Sequence, residues 1–192
     1  MKLHVIYIPG IGDDRTGLQG RIVKTWRIWG VESELWSMDW ADGRSWGSKS
    51  ETFLDHIDEL ARGGKKIALV GASAGGSAAM NIYAQRRDKI SGVVCIAGKI
   101  NYPETIGKRY RQKNRSFVES AEQCQDSLKR LNEADRKRIM SRYGIYDELV
   151  PKRDSVIDGA HNRIVLGVGH GITIATQIIF AAPVFIRFLK RQ

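Results

Sequence analysis

Short aliphatic and β-branched runs alternate along the chain with stretches in which apolar positions recur at three- and four-residue steps. The runs Leu3 to Ile8, Val31 to Met38, Lys66 to Val70, Gly92 to Ala97, Ile139 to Gly144 and Arg163 to Leu166 predict strands. Between them, Leu18, Ile22, Trp26 and Trp29 share one helical face, and Phe53, Leu54, Ile57 and Leu60 share another. Ser48 with Glu51 predicts a capping box at the start of the second helix, and Gly63-Gly64 its stop. A third face, Phe117, Ala121, Cys124, Leu128 and Leu131, follows Ser116 and Glu119 in the same capping arrangement. Strands alternating with amphipathic helices predict one α/β domain over residues 1–192. Its expected form is a three-layer α/β/α sandwich around a mostly or wholly parallel sheet of about six strands.

Two apolar segments bear on location. The first, Leu3 to Ile8, stops at Pro9-Gly10 and has no small-residue cleavage site, so it reads as a strand and not a signal peptide. The second, Ile172 to Leu189, is interrupted by Gln177, Pro183 and Arg187, which favours a C-terminal helix packed on the sheet over a membrane span. A soluble, cytoplasmic protein is the expectation. At 192 residues, 42% hydrophobic and 27% charged, the chain has the composition of an ordinary globular domain. Two cysteines, Cys95 and Cys124, supply neither a disulfide framework nor a C-x-x-C metal motif. Its 31 basic against 21 acidic residues, a net +10, raise the question of a nucleic-acid or other anionic partner. No helix-turn-helix, zinc-finger or aromatic RNA-binding motif accompanies that charge, which disfavours nucleic acid.

Sharper chemistry lies in Gly71-Ala72-Ser73-Ala74-Gly75, between the predicted strand ending at Val70 and an alanine-rich helix. A serine projecting from so tight a strand-to-helix turn needs glycine two residues to either side, because larger side chains would collide. The Ala74 N–H, at the start of that helix, is placed to stabilise an oxyanion. A phosphate-binding P-loop is excluded by Ser77, which stands where that motif requires lysine.

A serine nucleophile needs a histidine base, and the base needs an acid to orient it. His4, His56 and His161 fall in or beside predicted strands and helices, where packing is their expected role. His170, in Gly167-Val168-Gly169-His170-Gly171, follows the last strand at the sheet edge that carries Ser73. The acid is expected at Asp147, in Tyr146-Asp147-Glu148-Leu149-Val150-Pro151, with Glu148 as the fallback. The order serine, acid, histidine is the one this constellation takes on an α/β sheet. A second oxyanion donor is expected from Pro9-Gly10-Ile11-Gly12-Asp13-Asp14, with the Ile11 N–H first and Gly12 next.

Together these segments resemble the α/β-hydrolase family over nearly the whole chain, the D-x-x-V-P phrase at Asp147 included. The resemblance implies serine-dependent acyl transfer with no metal or organic cofactor, on a small member lacking the family's leading strands and any large cap. The basic stretch Lys108 to Arg115 lies where such proteins insert lids, so residues 98–115 are expected to form a short flap. The expected substrate is a small acyl compound, an ester, thioester or amide, of anionic character if Arg109 and Arg111 guide it. Gly10, Gly12 and Trp40 complete the candidate substrate contacts. Two other functions compete: a catalytically silent binding protein on the same fold, and a nucleic-acid-binding domain supported by charge alone.

Overall fold

The computed structural model describes residues 2–12 and 17–192. Six strands form one sheet, β1 (Leu3–Ile8), β2 (Glu32–Leu35), β3 (Lys66–Ala72), β4 (Ile90–Ile96), β5 (Ile139–Tyr146) and β6 (His161–Val168). They lie in the order β2-β1-β3-β4-β5-β6, and every pairing is parallel. A sheet of this kind must be covered on both faces. One is covered by α2 (Trp46–Arg62), α3 (Ala74–Gln85) and α5 (Arg115–Lys129), around Ile6, Ile8, Phe53, Leu69, Tyr83 and Cys124. The opposite face, with Val5, Tyr7, Val70 and Ile96, packs against α1 (Gly17–Thr25), a 3-10 turn at Trp26–Trp29, α8 (His170–Phe180) and α9 (Ala182–Lys190). Shorter helices are α4 (Lys108–Lys113), α6 (Glu133–Lys137) and α7 (Lys152–Ser155).

Several boundaries differ from the expected ones for identifiable reasons. β2 is shorter than Val31 to Met38. After Trp36 donates to the Tyr7 carbonyl, Lys49 Nζ draws the carbonyls of Met38 and Asp39 away from the sheet. The cap of α2 is Ser45, whose hydroxyl accepts from the Ser48 N–H, and not Ser48 itself. At the start of α5 the expected box is absent. Glu119 accepts instead from the Trp46 N–H, Asn114 donates to the Trp40 carbonyl, and the buried Ser116 hydroxyl has no partner among the described residues. The apolar stretch after Ile172 is broken at Ala181, where α8 and α9 meet at a bend of 64°. No single helix among the described residues is long and apolar enough to cross a membrane.

The strand order fixes where a site can form. β2 and β3 lie on opposite sides of β1, so the loops leaving the C-terminal ends of β1 and β3 part at that point and open a crevice. Gly10-Ile11 and Ser73 are the residues at its two lips.

Candidate active site

Ser73 follows β3 with φ +52° and ψ −120°, a backbone conformation that non-glycine residues rarely adopt. The packing that imposes it is visible at the flanking glycines. A Cβ on Gly71 would stand 2.2 Å from the Gly75 carbonyl oxygen, and one on Gly75 would stand 2.1 Å from that of Ile8. The turn is tied to β4 by two backbone bonds, from the Ser73 N–H to Ile96 and from the Lys99 N–H to the Ser73 carbonyl, each 3.0 Å. With backbone and neighbours fixed, the hydroxyl projects beyond the sheet edge.

His170 is the first residue of α8, directly after β6 and Gly169, whose φ of +94° lets the chain turn into the helix. Its Nε2 lies 2.9 Å from Ser73 Oγ, and its Nδ1 lies 2.7 Å from Asp147 Oδ2. Asp147, just after β5, uses its other oxygen Oδ1 to accept from the N–H groups of Leu149 and Val150, at 2.9 and 2.8 Å. Burial alone would raise the Asp147 carboxyl; hydrogen bonds from His170, Val150 and Leu149 outweigh it and hold the group below its ordinary range. A depressed value means that the carboxylate adds stability above the ordinary aspartate range, near pH 4, and loses it as pH falls through the folded value. The stability deficit of Asp147→Asn is therefore expected to be largest near neutral pH and to shrink on acidification. Urea midpoints of parent and variant at about pH 7 and about pH 3 measure it.

Glu148 has a different role from the fallback acid expected of it. Both of its oxygens face the His170 N–H, at 3.1 and 3.3 Å, so it caps the N-terminus of α8. The remaining histidines lie elsewhere: His4 between Glu32 and Glu34, His56 against Glu34 and Trp36, His161 against Phe188. Both cysteines are buried, and burial pushes the Cys95 thiol up to about 12, which leaves no competing thiolate.

Ser73 and His170 open into a cavity of about 480 Å³ lined by, among others, Gly10, Ile11, Ile106, Phe117, Ile174 and Ile178. Gly10 presses directly on the nucleophile turn, since a Cβ there would lie 2.7 Å from Ser73 Cβ. Ala74 begins α3 beside Ser73, and Ile11 reaches the cavity from the β1 loop. Gly12 has φ +92° and stands outside the lining; Asp13 and Asp14, at the far end of the expected loop, lie outside the described residues.

Three further candidate substrate contacts also stand outside the lining. Trp40 is a core residue, only 1% exposed, with its indole donating to the Pro9 carbonyl and its ring edge against Phe117. Arg111 is held by the carbonyls of Ile106 and Pro103 and by Glu122, and Arg109 is exposed to solvent. Segment 98–115 does reach the cavity, through Lys99, Thr105, Ile106, Gly107 and Tyr110. Lys99 is buried there in an ion pair with Asp154 and also donates to Thr105 Oγ1. Phe117 and Ile174 carry no local mark of a lining role, because they reach the cavity from helices far apart in the chain. Among the described residues no cluster of acidic, histidine or cysteine side chains has the arrangement of a metal site.

No known-family model matches the sequence, and a search of curated proteins returns no significant match. Similarity in three dimensions is extensive. One of the metagenome-derived lipolytic enzymes LipS and LipT aligns with a TM-score of 0.73 at 9% identity, over 100% of this chain and 94% of that one. The monoacylglycerol lipase of Paleococcus ferrophilus aligns at 0.67 and 16% identity, over 97% and 93%. An α/β hydrolase superfamily protein from Enterococcus faecalis aligns at 0.61 and 15% identity, over 100% and 91%. With its six parallel strands, its two covered faces and these structural neighbours, the chain has the α/β-hydrolase fold.

Proposed function

We propose that this protein is a serine hydrolase that cleaves a carboxylic ester or a related acyl compound through an acyl-serine intermediate. The observation that carries the reading is the continuous hydrogen-bonded chain from Ser73 Oγ through His170 to Asp147, whose first two members line a largely apolar cavity. In this reading His170 Nε2 takes the proton as Ser73 Oγ attacks the acyl carbon, and the N–H groups of Ile11 and Ala74 hold the developing oxyanion. His170 then passes the proton to the departing alcohol, thiol or amine. Water attacks the acyl-serine by the same route in reverse, giving up a proton to His170 and restoring Ser73. Asp147 stays ionised throughout, fixing the imidazole tautomer and orientation.

The lining supports a neutral, apolar acyl group over an anionic one. Lys99 is the lysine in the cavity wall, and Asp154 already neutralises it. Residues 98–115 act in this reading as a wall of the acyl pocket more than as an electrostatic guide. The structural neighbours described as a lipolytic enzyme and a monoacylglycerol lipase agree with an apolar acyl substrate.

Intact-mass measurement after treatment with an alkyl fluorophosphonate tests the reading. A single adduct is expected on the parent and none on Ser73→Ala, since a serine without an activating base does not react at neutral pH. An unlabelled parent, or equal labelling of Ser73→Ala, would reject Ser73 as the nucleophile.

A further inference from the structure

Leu18, Leu149 and Ile179 line the cavity and are nonetheless 68%, 52% and 45% exposed. Ile172, seven residues before Ile179 on the same helix and so on the same face, extends this apolar rim and is 62% exposed. Leu18 opens α1, Leu149 follows β5 and Ile172 is in the first turn of α8, so the rim surrounds the mouth of the cavity. Contiguous apolar side chains on a soluble surface mark a place where something docks.

The charge beside this rim indicates what docks. Segment 98–115 carries six basic side chains and one acidic, Glu104. Three of the six are engaged: Lys99 with Asp154, Arg111 with Glu122 and Arg115 with Glu119. Lys108, Arg109 and Lys113 are exposed and have no ion pair among the described residues. Exposed cations without an ion pair also occur elsewhere among the described residues, at Lys24, Arg27 and Arg62 for instance; what sets these three apart is their place on the segment that walls the cavity. The same segment lines the cavity through Ile106, Gly107 and Tyr110, so the unpaired cations stand on the outer side of a cavity wall. Among the described residues beside His170, the Glu148 carboxylate is turned to the His170 N–H and Asp147 to its ring.

We propose that this face docks on an anionic lipid surface. The rim residues Leu18, Leu149, Ile172 and Ile179 enter the headgroup boundary, while Lys108, Arg109 and Lys113 lie against the phosphates. Neither signal suffices alone. Reversible membrane association needs apolar insertion and basic side chains together, and both fade with distance from the surface. An acyl ester would then pass from the lipid layer into the cavity without crossing water. This final step rests on the reading of Ser73 as an acyl-transfer nucleophile; the docking itself does not.

Flotation of Ser73→Ala with phospholipid vesicles tests docking in the absence of turnover. Binding is expected to vesicles of phosphatidylcholine mixed with phosphatidylglycerol, to weaken with added salt, and to be slight on phosphatidylcholine alone. Neutralising the three cations as K108Q/R109Q/K113Q in the Ser73→Ala background is expected to lower the partition coefficient about a hundredfold, at roughly fivefold per charge. The control K24Q/R27Q/R62Q removes the same net charge at exposed positions, at or near the ends of α1 and α2 that lead into β2 and β3. It is expected to retain binding. Leu18→Ser with Ile172→Ser is expected to weaken binding on the same vesicles without changing the thermal midpoint.

Equal partition onto neutral and anionic vesicles, equal loss in both triple variants, or a stable dimer by light scattering that occludes the rim would each overturn the proposal. The hydrolase reading fails separately. A fluorophosphonate adduct with no vesicle binding removes the docking surface alone, and vesicle binding with no adduct removes the acyl-transfer chemistry alone.

Discussion

His170→Ala is expected to lower kcat/KM for a chromogenic short-chain ester by a factor on the order of 10⁴ to 10⁶, and to abolish fluorophosphonate labelling of Ser73. The magnitude follows from geometry. The imidazole is the group within reach of Ser73 Oγ, at 2.9 Å, and no buried thiolate substitutes for the nucleophile. Groups that act as a unit are lost as a unit, so Ser73→Ala combined with His170→Ala should be little worse than either single variant. Steady-state kinetics on the three proteins, with circular dichroism to confirm folding, make the comparison. A loss under tenfold in His170→Ala, or full multiplicative losses in the double variant, would contradict a shared proton-transfer step.

The second large effect is on stability. Gly75→Ala puts a methyl group 2.1 Å from the Ile8 carbonyl oxygen, 2.8 Å from the Ile8 carbonyl carbon and 2.9 Å from the Pro9 carbonyl oxygen. All three are backbone atoms of the strand and loop at the centre of the sheet, and none can swing aside as a side-chain tip would. Either β1 or the start of α3 must move, and both carry the buried core of one face. Cost in such a case is expected to reach about 4 kcal/mol or more, enough to leave much of a marginally stable domain unfolded. Gly20→Ala is the matched control: nothing lies within 4 Å of a Cβ there, and α1 gains a better helix former. Denaturant midpoints of the two variants are expected to fall on opposite sides of the parent. A Gly75→Ala protein as stable as the parent would mean that the nucleophile turn is looser than its contacts indicate.

What the sequence made legible follows the distinction between local and assembled features. β1 is found at Leu3–Ile8 as expected because its apolar run is closed by Pro9-Gly10, punctuation that acts on the chain directly. Ser73, Asp147 and His170 are each marked by glycines or by a D-x-x-V-P phrase next to a strand end. A parallel sheet brings such ends to one edge, and in the structure the three side chains are linked by hydrogen bonds. Where competing partners decide, local patterns mislead. Ser116 and Glu119 have the spacing of a capping box, but Glu119 is taken by the N-terminus of α2, a partner 73 residues away in sequence. Trp40 illustrates the limit for aromatic residues: its composition and loop position suit a pocket wall or a core equally, and only the Pro9 carbonyl and Phe117 ring decide it. The charge surplus of segment 98–115 is legible in the sequence, but that Arg111 is taken up by Glu122 and the carbonyls of Ile106 and Pro103 is not, because those partners are fixed only in the fold.

The position of His170 at the head of α8 joins two properties that enzymes often keep apart. The same helix that carries the imidazole also presents Ile174, Ile178 and Ile179 to the cavity, and it meets α9 at the 64° bend at Ala181. In the proposed reaction, an acyl chain too bulky for the cavity would press on α8 and shift His170 at its head out of reach of Ser73 Oγ. Oversized substrates would then bind and stall: selectivity for acyl size would be expressed in turnover, through misalignment of the base, more than in affinity.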